Sequence, residues 1–235
     1  MPFMFDSTIL LMIPPLLLSL YAQHKVKSTF EKYSNVPSRR RLSGAQVAAQ
    51  LLAAAGIHDV KIEAVPGYLS DHYDPSAKAV RLSEAVYNKQ SLAALGVAAH
   101  EVGHAVQHNT RYSPLAWRSG IFPLVNIGSK LAMPLIMIGI FLPMFAAGMG
   151  ELGGMLLNAG IVLFSITVLF QLITLPVEFN ASRRAMDMLV QQGILTHDET
   201  RPTKRVLDAA ALTYVAAAIA AIMTLIRFIL IARRN

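Results

Sequence analysis

LGVAAHEVGHAVQH, residues 95–108, decides how this chain is read. Its centre, His100-Glu101-Val102-Gly103-His104, has the form H-E-x-x-H and stands ahead of a long apolar tract. In a helix, residues four apart lie on one face, about 6 Å along the axis. The imidazoles of His100 and His104 can therefore converge on one small cation. Glu101 lies off that line, near enough to reach a water held by the cation. Two ligands and one general base on a single rigid element are what a zinc-dependent hydrolytic site requires. Zinc acidifies its water toward neutrality and polarises a carbonyl, and a carboxylate such as Glu101 takes and passes on the proton. The flanking "VAA" and "AV" are small and helical, and Gly103 leaves room beside a metal. The chain has no cysteine, so a metal must be held by His, Glu or Asp.

A third ligand has to come from elsewhere. His108 continues the same row, but it lies about 12 Å along the helix from His100, too far for one ion to bridge both. It reads as a surface or outlying histidine. The metzincin pattern wants a histidine ten positions past the first; that position is Thr110. Glu178 is the better candidate. It follows the apolar residues 152–175, where an acidic side chain is costly unless paired, bound to metal or at the water boundary. "EFNASRRAMDML" places Glu178 and Ser182 on one helical face, with Arg183 beside them. Read locally, Glu178 fits equally as a carboxylate at a helix N-terminus, favoured there by the helix dipole.

Outward from this centre the chain alternates apolar tracts and polar islands. Residues 3–23 are almost wholly apolar. Asp6 replaces the cationic start of a secretory signal, so the segment reads as a retained transmembrane helix, with a cleaved signal the weaker option; Pro14-Pro15 interrupts its middle, as a membrane helix can tolerate. Residues 24–120 carry much of the charge. Within them "SGAQVAAQLLAAAGI" predicts a helix capped by Ser43, "VKIEAVPG" a strand, and "YLSDHYDPSAKAVRLSEAVYN" two extended pieces about a turn at Asp74-Pro75. The H-E-x-x-H helix starts at Ser91 and stops near Asn109 and Thr110. Residues 131–149 and 152–175 are two further spans joined by a tight hairpin, and Trp117 ahead of them suits a headgroup boundary. Residues 177–208 form a second polar island, and 209–231 a fourth span.

The predicted fold class is therefore a mostly α membrane protein. About four transmembrane helices carry a zincin-like α+β region, with short strands before the zinc helix. The composition agrees: 54% of residues are hydrophobic and only 15% charged, well below a soluble domain. The net charge of +7 sits beside apolar tracts without interleaved aromatics. That predicts anionic lipid headgroups as partner and excludes nucleic acid. Most Lys and Arg lie in the two islands, and none precedes the first span. The positive-inside rule then puts the islands in the cytoplasm, against the short tail Arg233-Arg234.

"GVAAHEVGHAVQH", "LSDHYDPSAKAVRLSEAVYN", "LPVEFNASRRAMDML" and "ALTYVAAA", in this order over nearly the whole chain, resemble the membrane-bound zinc metallopeptidases of the YugP type. That group resembles the HtpX heat-shock proteases, in which H-E-x-x-H is followed by a third-ligand Glu on a later helix. The resemblance implies one Zn2+ held by His100, His104 and Glu178, with Glu101 as base, in a multi-pass enzyme of the bacterial plasma membrane. In HtpX-like proteins an acidic residue usually stands four after the ligand Glu. Ser182 holds that place here, so the hydrogen bond it offers a zinc histidine is weaker or comes from another group.

The remaining candidates are less specific. Lys78–Glu84 reads as a strand at the cleft edge, where an extended substrate pairs by its backbone. His72 or Tyr73 could donate to a tetrahedral oxyanion, although each also reads as part of an exposed turn. Arg183 or Arg184 could clamp a substrate carboxylate, or simply meet headgroups. The leading expectation is an endopeptidase acting on membrane or membrane-proximal proteins. The competing one is a non-catalytic membrane scaffold or chaperone-like subunit with a structural metal, against which Glu101 speaks, because a structural site needs no base. A transporter fits poorly, since the spans hold almost no ionisable groups.

Overall fold

A computed structural model describes residues 7–146 and 148–233. The first residues of the expected span 3–23, with Asp6, lie outside the described residues, as does Arg234. Contacts divide the chain into two compact units. One gathers Trp117–Leu175 with the stretch up to Tyr21 and the stretch from Tyr214; the other gathers Ala22–Ala116 and Pro176–Thr213.

The first unit is helical. After a 3-10 turn over Ser7–Met12, α1 runs Ile13–Ser34. Pro14 and Pro15 therefore sit in its first turn rather than breaking a span in the middle. An amide N–H there has no intrahelical partner to lose. The other spans belong to helices longer than the apolar tracts: α4 is Ser113–Phe145, α5 Gly150–Gln191 and α6 His197–Ala232. All four helices are long and apolar enough to cross a membrane. Between α4 and α5, Gly139 lets the backbones touch, because a Cβ there would fall on the backbone of Leu157.

The second unit is built on α2 (Gly44–Ala54), the strands β1 (Lys61–Val65), β2 (His72–Asp74) and β3 (Ala79–Ser83), and α3 (Leu92–Asn109). Ser43 and Gln46 form a reciprocal capping box at α2, and Ser91 accepts from the Ala94 amide at the start of α3. The sheet has the order β1-β3-β2, with β1 parallel and β2 antiparallel to β3. This corrects one expectation. Residues 79–83 form the central strand, paired on both sides, so the free edges belong to β1 and β2. Arg81 of β3 ties the sheet sideways, binding Glu63 of β1 at 3.0 Å and Asp74 of β2 at 2.6 Å. Asp74 also accepts from the Ser76 and Ala77 amides and so shapes the turn between β2 and β3.

The core of this unit sits between the sheet, α2 and α3. Val47, Leu51, Val80, Leu82, Leu92, Leu95 and Val102 are all buried there. Much of α3 buries small residues, Ala93, Ala94, Ala98 and Ala99 among them, so neighbouring elements pack close to its axis. Ala185 and Leu189 of α5 and Val206 and Leu207 of α6 belong to the same core.

Candidate metal centre

The buried flanks of α3 leave His100 and His104 on one face, one turn apart. Their rings meet edge to face with centroids 4.8 Å apart. α5 supplies the third group. Glu178 Oε2 lies 3.3 Å from His100 Nε2 and 3.5 Å from His104 Nε2. One donor atom from each of the three residues falls within 4.8 Å of the others. Two imidazoles and a carboxylate are the donor set of a zinc site in which the fourth position is left to water.

The geometry rules out the helix-start reading of Glu178. It lies deep inside α5, only 2% exposed, and not at a helix start. A residue there cannot cap. The approach of α5 to α3 depends on Gly103: a Cβ at that position would stand 2.6 Å from the Ala181 carbonyl oxygen. The glycine inside the motif thus makes room for a neighbouring helix, one turn from the carboxylate that this helix delivers.

Each histidine is fixed by its outer nitrogen. Ser182 Oγ lies 3.1 Å from His100 Nδ1, so the position that departs from the acidic HtpX-like pattern still provides a hydrogen bond. His104 Nδ1 lies 3.0 Å from Gln107 Oε1. Gln107 is fully buried, and its Nε2 donates to the Val177 carbonyl at 2.8 Å and to Asn180 Oδ1 at 3.0 Å. With both amide hydrogens spent on acceptors, Oε1 is left to accept from Nδ1–H. The tautomer that follows leaves the Nε2 lone pair of His104 turned toward Glu178. Arg184 Nε in turn donates to Asn180 Oδ1 at 2.8 Å and packs over Tyr112. The sequence reading overlooked Gln107. The available signal was a polar side chain three residues past His104, among residues that a helix of this composition buries.

This network sets an expectation. Gln107→Leu keeps the volume but removes the acceptor, and loss of such a partner weakens metal binding by about 10- to 100-fold. Competition with a calibrated chelator measures it; unchanged affinity in a folded variant would show that Gln107 only fills space.

Glu101 is 7% exposed, and its carboxylate has no hydrogen bond or ion pair with any described residue. Burial pushes its pKa up, while the two imidazoles pull it down by less. For Glu178 the balance reverses. Burial disfavours its charge, yet the His100 and His104 rings beside it hold it well below the usual carboxylate range. Two carboxylates of one cluster thus differ: Glu178 is kept anionic as a ligand must be, and Glu101 is more basic, as a proton acceptor should be.

The other candidates fall elsewhere. The His72 ring is exposed and bonds to the Ser70 carbonyl at 2.8 Å. The Tyr73 hydroxyl pairs with His108 Nδ1 at 2.9 Å, beside a separate pocket. Neither is hydrogen-bonded to the cluster among the described residues. Arg183 is exposed, and its neighbour Arg184 is the arginine that enters the network around the site. Asp71 anchors β3, its carboxylate accepting from the Ser83 amide at 2.7 Å and the Ser83 hydroxyl at 3.0 Å.

A family model described as "Putative neutral zinc metallopeptidase" matches residues 8–233. The chain is 49% identical over 223 residues to the "Putative membrane protease YugP" of Bacillus subtilis (strain 168), covering 95% of both chains. No solved structure matches. A chain matched from end to end in this way, with His100, His104 and Glu178 gathered on two helices, belongs to this family of membrane zinc metallopeptidases.

Proposed function

We propose that the protein is an integral-membrane zinc endopeptidase that hydrolyses peptide bonds of membrane or membrane-proximal proteins. His100, His104 and Glu178 hold the metal, with Ser182 and Gln107 fixing the two imidazoles. The ion supplies a water of lowered pKa and a Lewis acid for the scissile carbonyl. Glu101 takes the proton from the attacking water and delivers it to the departing amine, which needs a carboxylate that is close, unencumbered and of raised basicity. The observation that carries this reading is the buried Glu101 without a protein partner, one residue along α3 from a three-donor cluster. A purely structural site has no use for such a group.

The excess of cations in the two polar islands supports a catalytic region on the cytoplasmic face of a bacterial plasma membrane, with anionic lipids around the spans. The test uses purified full-length protein in detergent micelles and a denatured protein substrate such as casein. Chelation removes cleavage, and stoichiometric zinc restores it. Cleavage that persists after complete metal removal, or none from the zinc-loaded protein, argues against the assignment.

A further inference from the structure

A pocket of about 170 Å3 opens in the same unit, against the stretch of α3 that follows His104. Ala105, which follows His104 directly, lines it together with the buried Ile57. His108, one turn beyond His104, lies at the pocket with its Nδ1 2.9 Å from the Tyr73 hydroxyl of β2. Lys78, Asn109 and Arg111 add to the polar lining, with Asp59 paired to Lys78. Arg111 has no ion pair among the described residues. Positive donors therefore outnumber the single acid.

The backbone gives an independent sign. Among the described residues only four other than glycine have positive φ, and two of them are Lys78 (49°) and Arg111 (50°). Lys78 closes the turn between β2 and β3, and Arg111 follows the Thr110 cap of α3. Glycine or asparagine fits such positions with little strain, whereas a long side chain with a Cβ does not. At both places the chain carries a cation instead, and both cations border one pocket. Strain kept at a site is a sign of function.

We propose that this pocket is an anion subsite that receives a Glu or Asp side chain of the polypeptide substrate. The proposal rests on the endopeptidase reading above. β2 is an edge strand, so an extended chain can pair along it. One helical turn separates His104 from His108, about 6 Å along the axis, and an extended chain covers that in about two or three residues. The acidic residue then lies about that far from the scissile bond.

The test uses full-length protein in detergent and compares wild type with the double variant Lys78→Gly, Arg111→Asn. Both replacements relieve backbone strain, so the melting temperature stays or rises, which separates this test from loss of fold. A mixed peptide library is digested and the cleavage windows are sequenced. Wild type favours Glu over Gln at one position near the cut, and the double variant loses that preference by about tenfold. Cleavage of the Gln peptides is the internal reference. No acidic preference in wild type, or the same preference in the double variant, overturns the subsite and leaves the endopeptidase reading standing.

A second arm does not need cleavage. Labelled Glu and Gln peptides are titrated onto zinc-loaded Glu101→Gln protein, with and without the double change. A Glu preference that vanishes with the two cations upholds the subsite even if no hydrolysis is found, which would sink the endopeptidase reading alone. If vesicles containing phosphatidylglycerol, and not the Glu peptides, lose binding on the double change, the pocket is a lipid headgroup site and the proposal is overturned.

Discussion

Glu101→Gln lowers peptide hydrolysis about 10³-fold while zinc content stays at one per chain. General acid–base catalysis by a placed side chain is worth about 10²- to 10⁴-fold, and the amide cannot accept the proton. Gln has the same shape, so the small space beside His100 is filled as before. None of the three converging donor atoms belongs to residue 101. The pair of measurements is decisive in both directions. Hydrolysis at the wild-type rate would mean that the water is activated by another group. Loss of zinc would make Glu101 a ligand and reopen the role of Glu178.

The second large effect falls on Glu178. Its carboxylate is the one negative donor of the cluster, and α5 holds it within 3.5 Å of both imidazoles. Structural zinc sites bind with about 10–16 kcal/mol, so one ligand of four is worth about 3 kcal/mol, or on the order of 100-fold in affinity. Glu178→Ala is expected to weaken zinc binding by that amount and to abolish cleavage at limiting zinc. Equilibrium competition with a chelator reads the first effect; titrating zinc back reads the second, which should recover only in part because the ligand geometry is incomplete. A variant that binds zinc as tightly as the wild type would dissociate α5 from the metal site altogether. Glu178→Asp gives a useful intermediate, since it keeps the charge and shortens the reach.

Particular residues show how far the sequence carries. The spacing of His100 and His104 is a local quantity: once the segment is helical, four residues fix one face. The caps Ser43 and Ser91 and the turn at Asp74-Pro75 are local too, and each takes the predicted place. A further local signal went unused. Thr196-His197-Asp198-Glu199 has capping-box spacing, and Glu199 accepts from the Thr196 amide at 2.8 Å. That starts α6 at His197, ahead of the apolar residues from Ala209. Pro176 stands inside α5. A single proline removes one amide and need not end a helix that its neighbours support.

The sequence by itself determined the apolar spans, the helix that carries H-E-x-x-H and the donor types available in a chain without cysteine. All of these follow from periodicity, hydropathy and composition over short stretches. Only the tertiary structure decided that Glu178 stands beside both imidazoles and not at a helix start, that Gln107 and Ser182 reach the outer nitrogens of the two imidazoles, that β3 is central and β2 an edge, and that Lys78 and Arg111 border one pocket. These pairs are joined through packing and not along the chain, from the close approach of α5 at Gly103 to the pairing of Tyr73 with His108. Contacts of that kind depend on which surfaces bury one another, and no local pattern encodes them.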